Sequence, residues 1–139
     1  MVYFHKEDTN YRVQGIRVIK SVLSQLIDNQ GYTINCVNII ICSDPYLLNI
    51  NRTYLDHDYY TDIITFDNSE KHGYIDADLF ISIDTVKSNA KLFGTTTLQE
   101  LRRVIIHGVL HLVGFNDKTE SQKNEMRLKE DEYLAYFCS

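Results

Sequence analysis

Apolar residues at Ile16, Ile19, Leu23, Leu26 and Ile27 recur in steps of three and four, which marks one face of a helix. Gly31 follows as its C-cap. Ahead of that helix, Val2 to His5 can form a short edge strand. Behind it, Tyr32 to Ser43 is dense in β-branched residues and lacks helical spacing, so it reads as a buried strand. Ser43-Asp44-Pro45 supplies an N-cap and an early proline for a helix running to about Leu55. Asp56 to Tyr60 is a loop, and Asp62 to Phe66 a further strand. The clearest alternation lies between Tyr74 and Asp84. There Ile75, Ala77, Leu79, Ile81 and Ile83 share one face; Asp76, Asp78, Phe80, Ser82 and Asp84 share the other.

The remainder of the chain reads as helix. Thr85 to Phe93 is a short helix stopped at Gly94. A capping box at Thr97-Leu98-Gln99-Glu100 opens the next near Leu98, and Gly114 ends it. A second box, Thr119-Glu120-Ser121-Gln122, opens a charged helix to about Phe137. Strands interspersed with helices predict an α+β fold: one small domain over residues 1–139, with a mixed sheet of about four strands and about five helices.

Composition sharpens this picture. The 139 residues are 44% apolar and 24% charged, enough for one core. A single proline excludes a proline-rich linker. No run approaches the roughly eighteen apolar residues of a membrane span. The N-terminus MVYFHKEDTN is charged where a secretory signal is apolar, so a cytoplasmic protein is expected. The formal charge of −5 argues against gripping nucleic acid through a broad basic surface. Cys36, Cys42 and Cys138 form no CxxC pair; the first two share a strand face, and reduced, buried cysteines are expected.

The chemistry centres on His107 and His111. Four residues apart on a helix, they lie about 40° apart around its axis, so both imidazoles can reach one ion. Two structural imidazoles are the competing account, though burying them unpaired is costly. Gly114 turns the chain back, which brings Asp117 to where a third ligand is needed. Two imidazoles, one carboxylate and an open fourth position form a catalytic zinc geometry. The alternative for Asp117 is to cap the helix that starts near Thr119. A metalloprotease would carry its general-base glutamate directly after the first histidine. Gly108 stands there instead, which sets the peptidase reading aside. Since glycine costs helix stability, about 1 kcal/mol against alanine, close approach of another backbone or of substrate is expected at Gly108. Glu100 lies on the histidine face two turns earlier, where the capping box accounts for it.

His107–Asp117, HGVLHLVGFND, resembles the H-G-x-L-H-L-x-G-[aromatic]-D-H signature of the YbeY family, bacterial metal-dependent endoribonucleases of ribosomal RNA maturation. Asn51-Arg52-Thr53-Tyr54, Asp58 and Thr61 to Phe66 resemble the family's N-x-x-Y-R-x-x-D-x-P-T-D-V-L-S-F segment, and Ala77 to Ser82 its G-D-I-x-I strand. Asp117 stands at the family's third histidine and Asn116 at the acid before it. Leu55 stands at the family's arginine, which is expected to help hold substrate phosphate.

The resemblance implies a zinc-dependent endoribonuclease specific for single strands. It implies one divalent ion, expected to be zinc, on His107, His111 and Asp117, with a water in the open position. Ribosomal RNA and the small ribosomal subunit are the implied partners. Arg52, one turn before Leu55, can replace the missing arginine, as can Lys91, Arg102 or Arg103. The polar face of the Tyr74–Asp84 strand, chiefly Asp78 and Ser82, is expected to border the cleft of His107. Arg52, Asp78, Ser82 and Arg103 are therefore the expected substrate contacts. The exposed side of the last helix, with Lys123, Arg127, Lys129, Glu130, Asp131 and Glu132, reads as a solvated face. The alternatives are a non-catalytic ribosome-assembly factor with a structural metal, and a metal-dependent hydrolase of another substrate.

Overall fold

In the computed structural model, which describes residues 1–138, four strands form one sheet: β1 (Val2–Glu7), β2 (Thr33–Cys42), β3 (Ile63–Asp67) and β4 (Tyr74–Ser82). Their order is β1-β2-β4-β3. The first three pair in parallel, and β3 closes the far edge antiparallel to β4, so the sheet is mixed as expected. Five helices accompany it: α1 (Ile16–Asn29), α2 (Asp44–Leu55), α3 (Ile83–Phe93), α4 (Thr97–Leu112) and α5 (Glu120–Leu134). A single 3₁₀ turn, Ala135–Cys138, follows where the sequence suggested that the last helix continued. The result is a small α+β domain.

Strand alternation decides which side of the sheet carries the main core. Val37, Ile39 and Ile41 of β2 and Ile75, Ala77, Leu79 and Ile81 of β4 point to one side. There they meet Ile19, Leu23 and Leu26 of α1 and Leu101, Ile105 and Val109 of α4. Each of the valine, leucine and isoleucine side chains, taken fully out of water, contributes about 1.5–3 kcal/mol. A smaller cluster of Cys42, Leu47 and Ile64, with Phe66 and Phe80, fills the opposite side beneath α2.

The rest of that opposite side is polar, and Asp76 and Asp78 accept from asparagines of β2 and of the chain after β3. Asn38 donates to Asp78 Oδ1 at 3.0 Å, Asn68 to Asp78 Oδ2 at 3.1 Å, and Asn35 to Asp76 at 2.8 Å. The expectation that Asp78 borders the histidine cleft is thereby corrected. Helix α4 packs on the apolar side of β4, and Asp78 faces away from it.

Ser82 is corrected too. The strand ends there, two residues earlier than the alternation suggested. Ser82 Oγ accepts from Thr85 N to cap α3 and donates to Asp44. Fully buried, it offers nothing to a ligand. The first capping box also sits one residue earlier than read, between Thr96 and Gln99, which releases Glu100 from that duty. The second, between Thr119 and Gln122, stands as expected, and so does the Ser43 cap of α2.

No helix among the described residues is long and apolar enough to cross a membrane. The cysteines are free. Burial, with the charges of Asp44, Asp84, Glu7 and Asp8, pushes the Cys42 thiol up to about 12, so it stays an inert packing group. Of the Cys36 and Cys42 pair expected to pack, Cys36 is only half-buried, and Cys138 is exposed rather than buried.

Candidate metal centre

Helix α4 can lie close to the sheet because Gly108 faces it. A Cβ at that position would fall 2.7 Å from Ile63 Cδ1, 2.9 Å from Leu79 Cδ2 and 3.2 Å from Thr65 Oγ1. What approaches this glycine is therefore side chains of β3 and β4, rather than the backbone or substrate expected. His107 and His111 flank Gly108 on α4 and emerge, half-buried, beside that contact. After α4, Gly114 adopts φ +105°, a conformation that favours glycine, and turns the chain back over the histidines.

That turn delivers Asp117. Its Oδ2 lies 3.4 Å from His107 Nε2 and 3.4 Å from His111 Nε2, and the two Nε2 atoms lie 3.1 Å apart. Ligand atoms held tetrahedrally at about 2.0–2.1 Å from zinc stand roughly 3.3–3.4 Å from one another. The three side chains thus form one face of a tetrahedron of the right size. Two imidazole nitrogens facing each other at 3.1 Å would repel through their lone pairs unless a proton or a cation sat between them. The donor set fits a divalent ion.

Glu130 sets the histidine's orientation. Its Oε2 accepts from His107 Nδ1 at 2.7 Å, and its Oε1 accepts from Arg103 Nη1 at 2.8 Å. Arg103 Nη2 in turn donates to Asp131 at 3.1 Å. An ionised carboxylate can only accept, so the His107 proton resides on Nδ1 and Nε2 keeps its lone pair for the triangle. Burial alone would lower the imidazole's pKa. The hydrogen bond and charge of Glu130, with Asp117 and Asp62, outweigh it and raise His107 above its ordinary value. Burial also raises the Glu100 carboxyl, with Arg103 opposing and Asp62 adding.

The expected substrate contacts are scattered. Arg103 lies one helical turn before His107 but is held by Glu130 and Asp131. Arg52 is exposed and paired with Asp58 at the end of α2, whose packing is against the opposite side of the sheet. Lys91 sits in the last turn of α3. Placing Glu130 on the solvated side of α5 is corrected: it is buried. Its signal was there: Met126, Glu130 and Tyr133 fall at helical spacing and are the buried residues of α5. Asp62, just before β3, enters the sequence reading as a strand start and part of the family-like segment, with no role at the site assigned to it.

A family model described as Endoribonuclease YbeY matches residues 3–137. A protein named Endoribonuclease YbeY from Cytophaga hutchinsonii is 52% identical over 134 residues, covering 96% of this chain and 94% of that one. Another of the same name from Parabacteroides distasonis is 41% identical with the same coverage. Among solved structures, the solution structure of TM1509 from Thermotoga maritima superposes with a TM-score of 0.67 at 26% identity. It covers 98% of this chain and 88% of that one.

Proposed function

Because the chain belongs to the endoribonuclease YbeY family, we propose that it is a metal-dependent endoribonuclease that cuts single-stranded RNA during ribosomal RNA maturation. Residues 1–139 act as one functional domain in the cytoplasm, on ribosomal RNA and the small ribosomal subunit. The observation that carries this reading is the triangle of His107 Nε2, His111 Nε2 and Asp117 Oδ2, with sides of 3.1, 3.4 and 3.4 Å.

Those residues would hold one divalent ion, and two imidazoles with a carboxylate suit zinc. Such an ion supplies Lewis acidity toward a phosphoryl oxygen and lowers the pKa of water. The chain's own residues prepare the site for it. Glu130 holds the His107 proton on Nδ1, and Arg103 fixes the Glu130 carboxylate. Gly108 brings the helix down onto Ile63, Leu79 and Thr65, which sets the histidines close against the sheet.

A structural zinc site is closed by four protein ligands. Here three ligand-type side chains gather among the described residues. Both Glu130 oxygens are already engaged by His107 and Arg103. An open position favours catalysis over a purely structural ion.

The test is cleavage of single-stranded RNA and of ribosomal RNA precursors by purified protein, before and after chelation. Cleavage that disappears with chelator and returns with zinc supports the reading. A zinc-loaded protein that leaves both substrates intact overturns it, and favours the assembly-factor alternative.

A further inference from the structure

Although the chain is acidic overall, three guanidinium groups converge on one groove. It has a volume of about 600 Å³ and runs between the first half of α4 and the end of α5, closed by the 3₁₀ turn. Arg102, Arg103 and Arg127 line it, with Phe93 and Phe137. Two acids share the lining: Asp131, already paired with Arg103, and Glu100, which is buried.

The three arginines differ in what occupies them. Arg103 is committed to Glu130 and Asp131. Arg127 is exposed and makes no ion pair within 4.0 Å among the described residues. The Arg102 guanidinium lies 4.3 Å over the Phe137 ring. Its Nε is the one buried side-chain polar atom, among the described residues, that lacks a hydrogen-bond partner. A buried donor left unpaired costs about 1–3 kcal/mol. Arg127 thus faces the groove without an ion pair, and Arg102, stacked on Phe137, still has an unpartnered Nε there. Phe93, 63% exposed, adds an aromatic face at its edge.

Position ties the groove to the metal centre. Arg103 precedes His107 by four residues, about 6 Å along the helix axis. The groove's Arg103 therefore stands about one helical turn from the first ligand.

We propose that this groove binds the sugar-phosphate backbone of the single-stranded RNA segment flanking the cleaved bond, with Arg127 and Arg102 taking phosphates and Phe93 stacking a base. The inference rests on the ribonuclease reading for its choice of ligand. Guanidinium forks match phosphate geometry, and aromatic faces stack bases without regard to sequence. This is also how an acidic protein can engage RNA: a few contacts at one place.

The test is binding of a labelled 2′-O-methyl single-stranded RNA oligonucleotide to the zinc-loaded protein, titrated across salt. Arg127→Ala removes an exposed side chain with no ion pair, so the fold is spared. Arg102→Gln is the second variant. Lys6→Ala, on the far edge strand β1, is the control. Each arginine variant should weaken binding about fivefold and flatten the slope of log affinity against log salt by about 0.7, with zinc content unchanged. Lys6→Ala should match the wild type. Arginine variants that bind like the control overturn the groove, as does a wild type with no affinity for the oligonucleotide. If the wild type cleaves RNA while the arginine variants bind normally, the groove falls and the ribonuclease reading stands. If the wild type cleaves nothing yet loses affinity on Arg127→Ala, the groove stands and the ribonuclease reading falls.

Discussion

Glu130 Oε2 sits 2.7 Å from His107 Nδ1, so a carboxylate on α5 determines which nitrogen of a histidine on α4 faces the triangle with His111 and Asp117. The two helices are thereby joined at the site as well as through the core. The same carboxylate is braced by Arg103 at 2.8 Å.

Replacing Glu130 by Gln keeps the shape but removes the charge and turns an amide toward one of the two donors. Zinc affinity should fall about 10–100-fold, the range typical when a group that orients a metal-binding histidine is lost. Competition with a fluorescent zinc chelator measures it. Unchanged affinity would show that His107 needs no such support.

At Gly108 two terms compete. Alanine would add about 1 kcal/mol of helix propensity. It would also place a methyl 2.9 Å from Leu79 Cδ2, a side chain fully buried in the core, and 2.7 Å from Ile63 Cδ1. Overpacking of this kind costs about 1–3 kcal/mol. Leu79 has little room to retreat, so the crowding should win, and Gly108→Ala should lose about 1 kcal/mol in chemical denaturation. A more stable variant would mean that the helix and sheet are less tightly apposed than the distances indicate.

The metal-free protein should lose stability as pH rises through neutrality. His107 has a folded pKa above its ordinary 6.5, so the folded state holds that proton more tightly than the unfolded chain. The contribution is complete below about 6.5 and is lost as pH climbs through the raised value. Zinc competes with the proton for His107 Nε2 and should reverse the trend. Thermal melts between about pH 6 and pH 8, with and without zinc, test both signs. A chelated protein that grows more stable across that window contradicts the assignment.

Much of this was legible along the chain, and the failures share a cause. The strand pattern of Tyr74 to Ile81, the Ser43 cap, the Thr119–Gln122 box and the pairing of His107 with His111 all depend on residues close in sequence. Periodicity and spacing express these directly. Alternation along β4 says that Asp78 and Leu79 face opposite ways, but not which side a distant helix will cover. Asparagines from β2 and from the chain after β3 satisfy Asp78, and α4 takes the other side. Glu130 was hidden among neighbouring charges, and its partners lie 23 and 27 residues away. Asp117 was legible because a single glycine turn separates it from His111. Its alternative duty, capping α5, is carried by Thr119.

On the proposed reading, His107, His111 and Asp117 jointly hold the ion on which RNA cleavage depends. Calorimetric titration of zinc into chelator-stripped protein tests it most directly, comparing the wild type with Asp117→Ala and Asp117→His. The wild type should bind one ion per chain. Asp117→Ala should lose more than the 10–100-fold expected of a residue that merely orients a ligand, while unfolding much like the wild type. Asp117→His should retain the ion, since imidazole suits zinc equally well. An Asp117→Ala variant that binds one zinc with wild-type affinity would contradict the three-ligand site.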